Sequence, residues 1–102
     1  MVIVYASKTG NVRRFVSKIG KVSTHIIDGL IMCDNFVLVT YTTGFGQVPE
    51  EVTKFLKYHD NYKKMVGVAA SGNKNWGDLF CASANKISKE YNVPIIYKFE
   101  LS

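Results

Sequence analysis

The chain has 102 residues, 47% of them hydrophobic, with 13 Lys and Arg against 8 Asp and Glu and a formal net charge of +5. That length suits one domain over residues 1–102, near the lower end of what builds a core without staples, and the two cysteines, Cys33 and Cys81, point away from a disulfide framework and towards a reducing cytoplasm. No apolar run nears the roughly 18 residues of a membrane span, the start lacks the basic flank and cleavage site of a signal peptide, and the scattered cations accompany no RNP-like strand or helix-turn-helix pattern, so neither membrane nor nucleic acid is expected as a partner.

In chain order, residues 2–6 (VIVYA) form a continuous apolar run, as in a strand buried on both faces. Val12, Phe15, Val16 and Ile19 follow at helical spacing, with cations between them and Gly20 as the stop. A short edge strand is expected over 24–27 and a central one over 36–41 (FVLVTY). Pro49, Glu50 and Glu51 suit the first turn of a helix whose core face is Val52, Phe55 and Leu56. Residues 65–70 (MVGVAA) read as the next strand. A helix over 78–91 carries Phe80, Ala84, Ile87 and Tyr91 on one face, and residues 94–99 (PIIYKF) close the series. Strands alternating with helices predict an α/β fold with a parallel sheet wrapped by helices, without repeats or linkers.

Open sheets of this kind bind ligands at the carboxyl ends of the strands, where the strand order reverses. The segments there read Ser7-Lys8-Thr9-Gly10-Asn11, Thr42-Thr43-Gly44-Phe45-Gly46-Gln47 and Ser71-Gly72-Asn73-Lys74-Asn75-Trp76-Gly77. Their glycines, hydroxyls and amides suggest one shared pocket. A helix N-terminus offers free N–H groups and a positive partial charge, so the first loop could surround a phosphate, although Ser7, Thr9 and Asn11 could equally serve as helix caps. The Walker sequence is absent, and Gly44-Phe45-Gly46 lacks the third glycine of a dinucleotide fingerprint. His25 and His59 have no partners at metal-ligand spacing, so no metal site is expected. Trp76, between asparagine and glycine and off any apolar stripe, suits a pocket wall better than a core; Phe45 suits either.

Ser7 to Asn11, following the first strand, resembles the phosphate loop of flavodoxins, which bind FMN. More specifically, residues 40–49 (TYTTGFGQVP), 71–77 (SGNKNWG) and 93–101 (VPIIYKFEL) resemble the NrdI family, short flavodoxin-like accessory proteins of class Ib ribonucleotide reductase. The likeness runs over residues 2–102, and its most specific part is the glycine-asparagine-tryptophan loop. It implies a flavodoxin-like doubly wound five-stranded sheet that binds FMN without a covalent bond. Ser7, Lys8, Thr9, Gly10 and Asn11 would take the phosphate. Thr42, Thr43, Gly44, Phe45 and Gly46, with Ser71, Gly72, Asn73, Asn75, Trp76 and Gly77, would flank the isoalloxazine ring. A peptide at Gly44 could turn over beside flavin N5 and accept its proton. No side chain is expected as an acid or base catalyst, because the cofactor carries the chemistry.

The resemblance further implies a partner, the dimanganese small subunit of the reductase. Reduced flavin would react with O2 to supply a superoxide- or peroxide-level oxidant for assembly of the manganese-tyrosyl radical cofactor, with electrons from a donor of unknown identity. The alternatives are a small electron-carrier flavodoxin serving another reductase, and a binding module that has lost flavin. Two features depart from the usual pattern. Single-electron flavodoxins are commonly acidic, whereas this chain is basic and places Lys74 in the ring loop, which favours an anionic reduced flavin. The family's chain continues into a final helix, whereas this sequence stops just after its last strand, so part of one sheet face is expected to lie uncovered and a homodimer could cover it.

Overall fold

The computed structural model describes residues 2–100, the side chain of Trp76 excepted. Its strands are β1 Val2–Tyr5, β2 Ser23–His25, β3 Phe36–Thr40, β4 Met65–Gly72 and β5 Ile95–Glu100; its α-helices are α1 Asn11–Ile19, α2 Glu50–Lys57 and α3 Ala82–Tyr91. All pairings are parallel, in the order β2-β1-β3-β4-β5. This is the flavodoxin-like doubly wound order, and it reverses between β1 and β3. The α/β class and five-stranded parallel sheet expected from the alternation are therefore present, with β5 the last element of the described residues.

Helices cover the sheet on both sides. On one face Val12 and Val16 of α1 pack on Ile3, Val39 and Ala69. On the other, Val52, Phe55 and Leu56 of α2 and Ala84 and Ile87 of α3 pack on Val4, Leu38, Val68 and Ala70. Central strands buried from both sides need apolar residues at most positions, which is why β1, β3 and β4 are mainly apolar, with the buried polar residues Thr40 and Ser71 only at the carboxyl ends of β3 and β4. Asn61, in a 3-10 helix at Tyr58–Lys64, is buried with its amide saturated: Nδ2 donates to Leu30 O (2.9 Å) and Phe55 O (2.8 Å), and Oδ1 accepts from Met32 N–H (2.8 Å). It ties the segment before β3 to the end of α2. Among the described residues no helix is long and apolar enough to cross a membrane.

Apart from shifts of one residue at ends of β1, β2, β3 and β5, three boundaries differ from the sequence reading. β2 stops at His25 instead of 27, although Ile26 N–H still donates to Tyr5 O (2.9 Å). β4 runs two residues past 70, because β5 reaches Glu100 and pairs Ser71 with Phe99 and Gly72 with Glu100. Ser71 and Gly72 are thus strand residues. The helix expected from 78 begins at Ala82, after a 3-10 helix at Lys74–Leu79, since Gly77 (φ 57, ψ −120) and Cys81 (φ 54) break the helical path between them.

Candidate functional site

Ala6 N–H, one residue beyond β1, still bonds to Val39 O (3.0 Å), and the chain then leaves the sheet through Ser7, Lys8 and Thr9 into Gly10. Gly10 is the N-cap of α1 at φ 87, with no side-chain cap hydrogen bond. Asn11 Nδ2 donates to Thr9 Oγ1 (3.1 Å), and Ser7 Oγ accepts from Arg13 N–H at a long 3.4 Å. The three polar side chains therefore do little capping, and among the described residues the amides of Asn11 and Val12 have no acceptor. Open N–H groups at the positive end of a nine-residue helix form an anion-receptive cradle. Among the described residues nothing stands within 4 Å of where a Cβ on Gly10 would be. Glycine is required there by its backbone angle, not by crowding.

The second loop is a closed turn. Thr43 N–H donates to Gln47 O (3.0 Å) and Gln47 N–H to Thr43 O (2.7 Å), leaving Gly44, Phe45 and Gly46 as the tip. Gly44 and Gly46 hold φ 52 and 78; Gly46 is buried, and a Cβ on it would meet Ala82 Cβ at 2.9 Å. The tip thus rests on the start of α3 while Phe45 stands 72% exposed. Thr42 Oγ1 donates to Ser71 O (2.8 Å) and lies 2.7 Å from Ser83 Oγ, which leaves Ser83 to donate, so the loop is pinned to β4 and α3 together. Tyr41, just before it, donates its hydroxyl to Glu51 Oε1 (3.0 Å). Burial, reinforced by the Glu51 carboxylate, pushes the Tyr41 phenol up to about 12.

The third segment is built tightly at its start. A Cβ on Gly72 would lie 2.6 Å from Cys81 N, so β4 and the residue before α3 touch backbone to side-chain position. Cys81 is buried, its thiol donates to Ala70 O (3.3 Å), and burial raises its pKa; it is a packing group. Asn73 Oδ1 accepts from Asn75 N–H (2.8 Å) and caps the 3-10 helix that carries Lys74. Ser71 Oγ is fully buried and, among the described residues, has no hydrogen-bond partner.

A cleft of about 330 Å³ opens where the strand order reverses. It is lined by Lys8, Thr9 and Asn11 from the first loop, and by Thr42, Thr43, Gly44 and Phe45 from the second. Ser7, Gly10, Gly46, Ser71, Gly72, Asn73, Asn75 and Gly77 do not line it, and the side chain of Trp76 lies outside the described residues. Val12 and Tyr41 complete the lining and were not expected there. Tyr41 reads in sequence as the last apolar residue of a strand; its position at a strand's carboxyl end was the available signal. A cavity of similar size, about 320 Å³, lies between residues 26–30 and α2, but with Asp28 and Glu51 against the one cation Lys54 in its lining it suits an anion less well.

The family model described as "NrdI Flavodoxin like" matches residues 3–102. The chain belongs to the NrdI flavodoxin-like family. Among curated NrdI proteins, it is 54% identical to Protein NrdI of Bacillus licheniformis over 105 residues, covering 98% of this chain and 76% of the relative. It is 42% identical to the SPbeta prophage-derived protein NrdI of Bacillus subtilis over 104 residues, covering 98% and 79%. Two solved flavodoxins share the fold. One is a short-chain flavodoxin associated with a non-canonical PDU bacterial microcompartment (TM-score 0.63, 23% identity, 99% of this chain and 83% of that one). The other is a flavodoxin mutant from Pseudomonas aeruginosa (TM-score 0.54, 18% identity, 100% and 84%). NrdI membership brings a flavin cofactor and a tie to ribonucleotide reductase. The anion cradle beside a cleft of suitable position is consistent with a flavin phosphate.

Proposed function

We propose that this protein binds FMN in the cleft between the loops after β1 and β3 and activates the dimanganese small subunit of class Ib ribonucleotide reductase. The observation that carries the reading is the cleft itself: the open first turn of α1 behind Gly10 faces the glycine turn at residues 43–47. The amides of Asn11 and Val12, the hydroxyl of Thr9 and the ammonium of Lys8 would hold the phosphate. Tyr41 and Phe45 offer aromatic surface for the ring, with Trp76 proposed as a further wall. Gly44 would hold the proton at flavin N5 through its carbonyl, and a glycine there lets the peptide turn over without moving a side chain. Ser71 Oγ, buried and without a partner among the described residues, is a candidate for a hydrogen bond gained when the site fills. Lys74 raises the positive potential near the third loop and favours a negative charge on the reduced ring. When bound, FMN would supply the redox chemistry, its reduced form converting O2 to an oxidant at the superoxide or peroxide level.

The test mixes reduced, FMN-loaded protein, O2 and the manganese-loaded small subunit, and records the tyrosyl radical by electron paramagnetic resonance. Radical formation that requires the flavoprotein is the expected outcome. Absence of the radical, with ready electron transfer to an unrelated acceptor, would make the protein an electron carrier instead.

A further inference from the structure

Tyr41 follows β3 directly and lines the cleft, and most of what fixes it belongs to the core. Its side chain packs against the buried clusters on both faces of the sheet. Its carbonyl accepts from Thr40 Oγ1 (2.9 Å), and Thr42 beside it is pinned to β4 and α3. What packing leaves open is the polar end of the ring, because a half-buried phenol just past a strand can tip towards solvent about its side-chain torsions. Glu51 Oε1 removes that freedom by accepting the Tyr41 hydroxyl at 3.0 Å. With its proton spent on Glu51, Tyr41 offers a ligand in the cleft its aromatic surface and no hydrogen-bond donor.

Glu51 stands on a rigid element. Val52, Phe55 and Leu56 bury the core face of α2 against the sheet, so a carboxylate in the first turn of that helix is held in place from below. Glu51 itself is exposed, and among the described residues it is in no ion pair and its carboxylate has Tyr41 as its one hydrogen-bond partner. An acid at a helix N-terminus also suits the positive end of the dipole, but Glu50 supplies that charge one residue earlier and has no hydrogen bond to Tyr41. The dipole therefore accounts for both acids, and the bond to Tyr41 sets Glu51 apart. We propose that Glu51 is a positioning residue for the cofactor: through the Tyr41 hydroxyl it fixes the aromatic wall that the cleft presents to the flavin ring. This rests on the reading of the cleft as an FMN site, and it adds a residue of α2 to a site otherwise built from loops at the strand ends.

The test titrates FMN into the 102-residue chain and its variants, reading affinity from flavin fluorescence and the surroundings of the bound ring from its visible circular dichroism. Glu51→Ala should weaken FMN about fivefold and change the visible dichroism. The sign separates a tether from a charge, since losing a carboxylate near an anionic ligand would by itself tighten binding. Glu51→Gln keeps an acceptor oxygen and should restore most of the affinity and the parent's dichroism. Tyr41→Phe breaks the same bond from its other end; it should reproduce Glu51→Ala, and the double variant should bind no more weakly than either single one. Glu50→Ala, which removes a charge from the same helix end, should bind FMN at least as tightly as the parent. Far-ultraviolet dichroism matching the parent would show that each variant folds. A parent that takes up no FMN would overturn the FMN reading and this proposal with it. If the parent binds, then unchanged affinity in Glu51→Ala or Tyr41→Phe, additive losses in the double variant, or an equal loss in Glu50→Ala would overturn the proposal and leave the FMN reading standing.

Discussion

Gly10 shows how a single backbone angle can serve a binding site. At φ 87 with open space around its Cβ position, it tolerates a side chain sterically but not conformationally. Gly10→Ala should therefore cost about 1 kcal/mol of stability in urea unfolding, and should weaken FMN in a fluorescence titration by disturbing the amides of Asn11 and Val12. Gly10→Asn, which enters the left-handed region more readily, should recover most of both losses. Tyr41 gives a pH signature. Its phenol sits at about 12 in the folded chain against 10.0 for the ordinary value, first through burial and then through Glu51. The unfolded chain binds the proton less tightly, so this contribution is complete below pH 10 and disappears as pH rises through about 12. Unfolding free energies measured from pH 9 to 12 (roughly the span of the shift) should fall less steeply in Tyr41→Phe than in the parent.

Among the elements, the junction of β4 with α3 is the least forgiving. Gly72→Ala places a Cβ against a backbone nitrogen, Cys81 N at 2.6 Å, which cannot turn aside as a side chain can. The expected loss is about 1–3 kcal/mol, together with displacement of the segment that supports the tip of the second loop, so thermal melting and flavin affinity should both fall. The Gly67 contact has the opposite character, because its obstacle is the exposed side chain of Ile96. Gly67→Ala should be mildly destabilising alone and close to neutral when combined with Ile96→Ala, a coupling that a double-mutant cycle on urea midpoints would measure.

For the whole molecule, the net charge of +5 matters more for association than for folding. If the reductase small subunit presents an acidic face, complex formation should slow as salt rises, and Lys74→Glu, on the exposed 3-10 helix after β4, should lower the association rate in stopped-flow mixing with little change in melting temperature. The same substitution should make the reduced flavin harder to charge negatively, lowering its potential in a spectroelectrochemical titration.

The order of the elements and their apolar faces were legible in the residues, though not every boundary. Short apolar runs bounded by turn residues read as strands covered on both faces, and the spacing of Val12, Phe15, Val16 and Ile19 reads as one side of a helix, so the α/β order and the loops worth inspecting were legible from the residues alone. The loop motifs also carried the family. Pairing and register were not legible, because they depend on partners distant in the chain. The extension of β4 through Ser71 and Gly72 exists only because β5 reaches Glu100 beside it. The late start of α3 follows from the angles at Gly77 and Cys81, and the approach of Gly72 to Cys81 adds a contact that no helical periodicity records. Tyr41 entered the cleft lining for a similar reason, since its place at the end of β3 gains meaning only when the loop after β1 lies beside it. The exposed face narrowed in the same way. The sequence reading expected part of one sheet face to lie uncovered; among the described residues α1 buries Val39 and Ala69 on that face, and the bulge at Ile96 brings Ile96 and Tyr97 to one groove beside Ile19. Local chemistry sets which side chains must leave water, whereas tertiary register sets which of them still have a neighbour to leave it with.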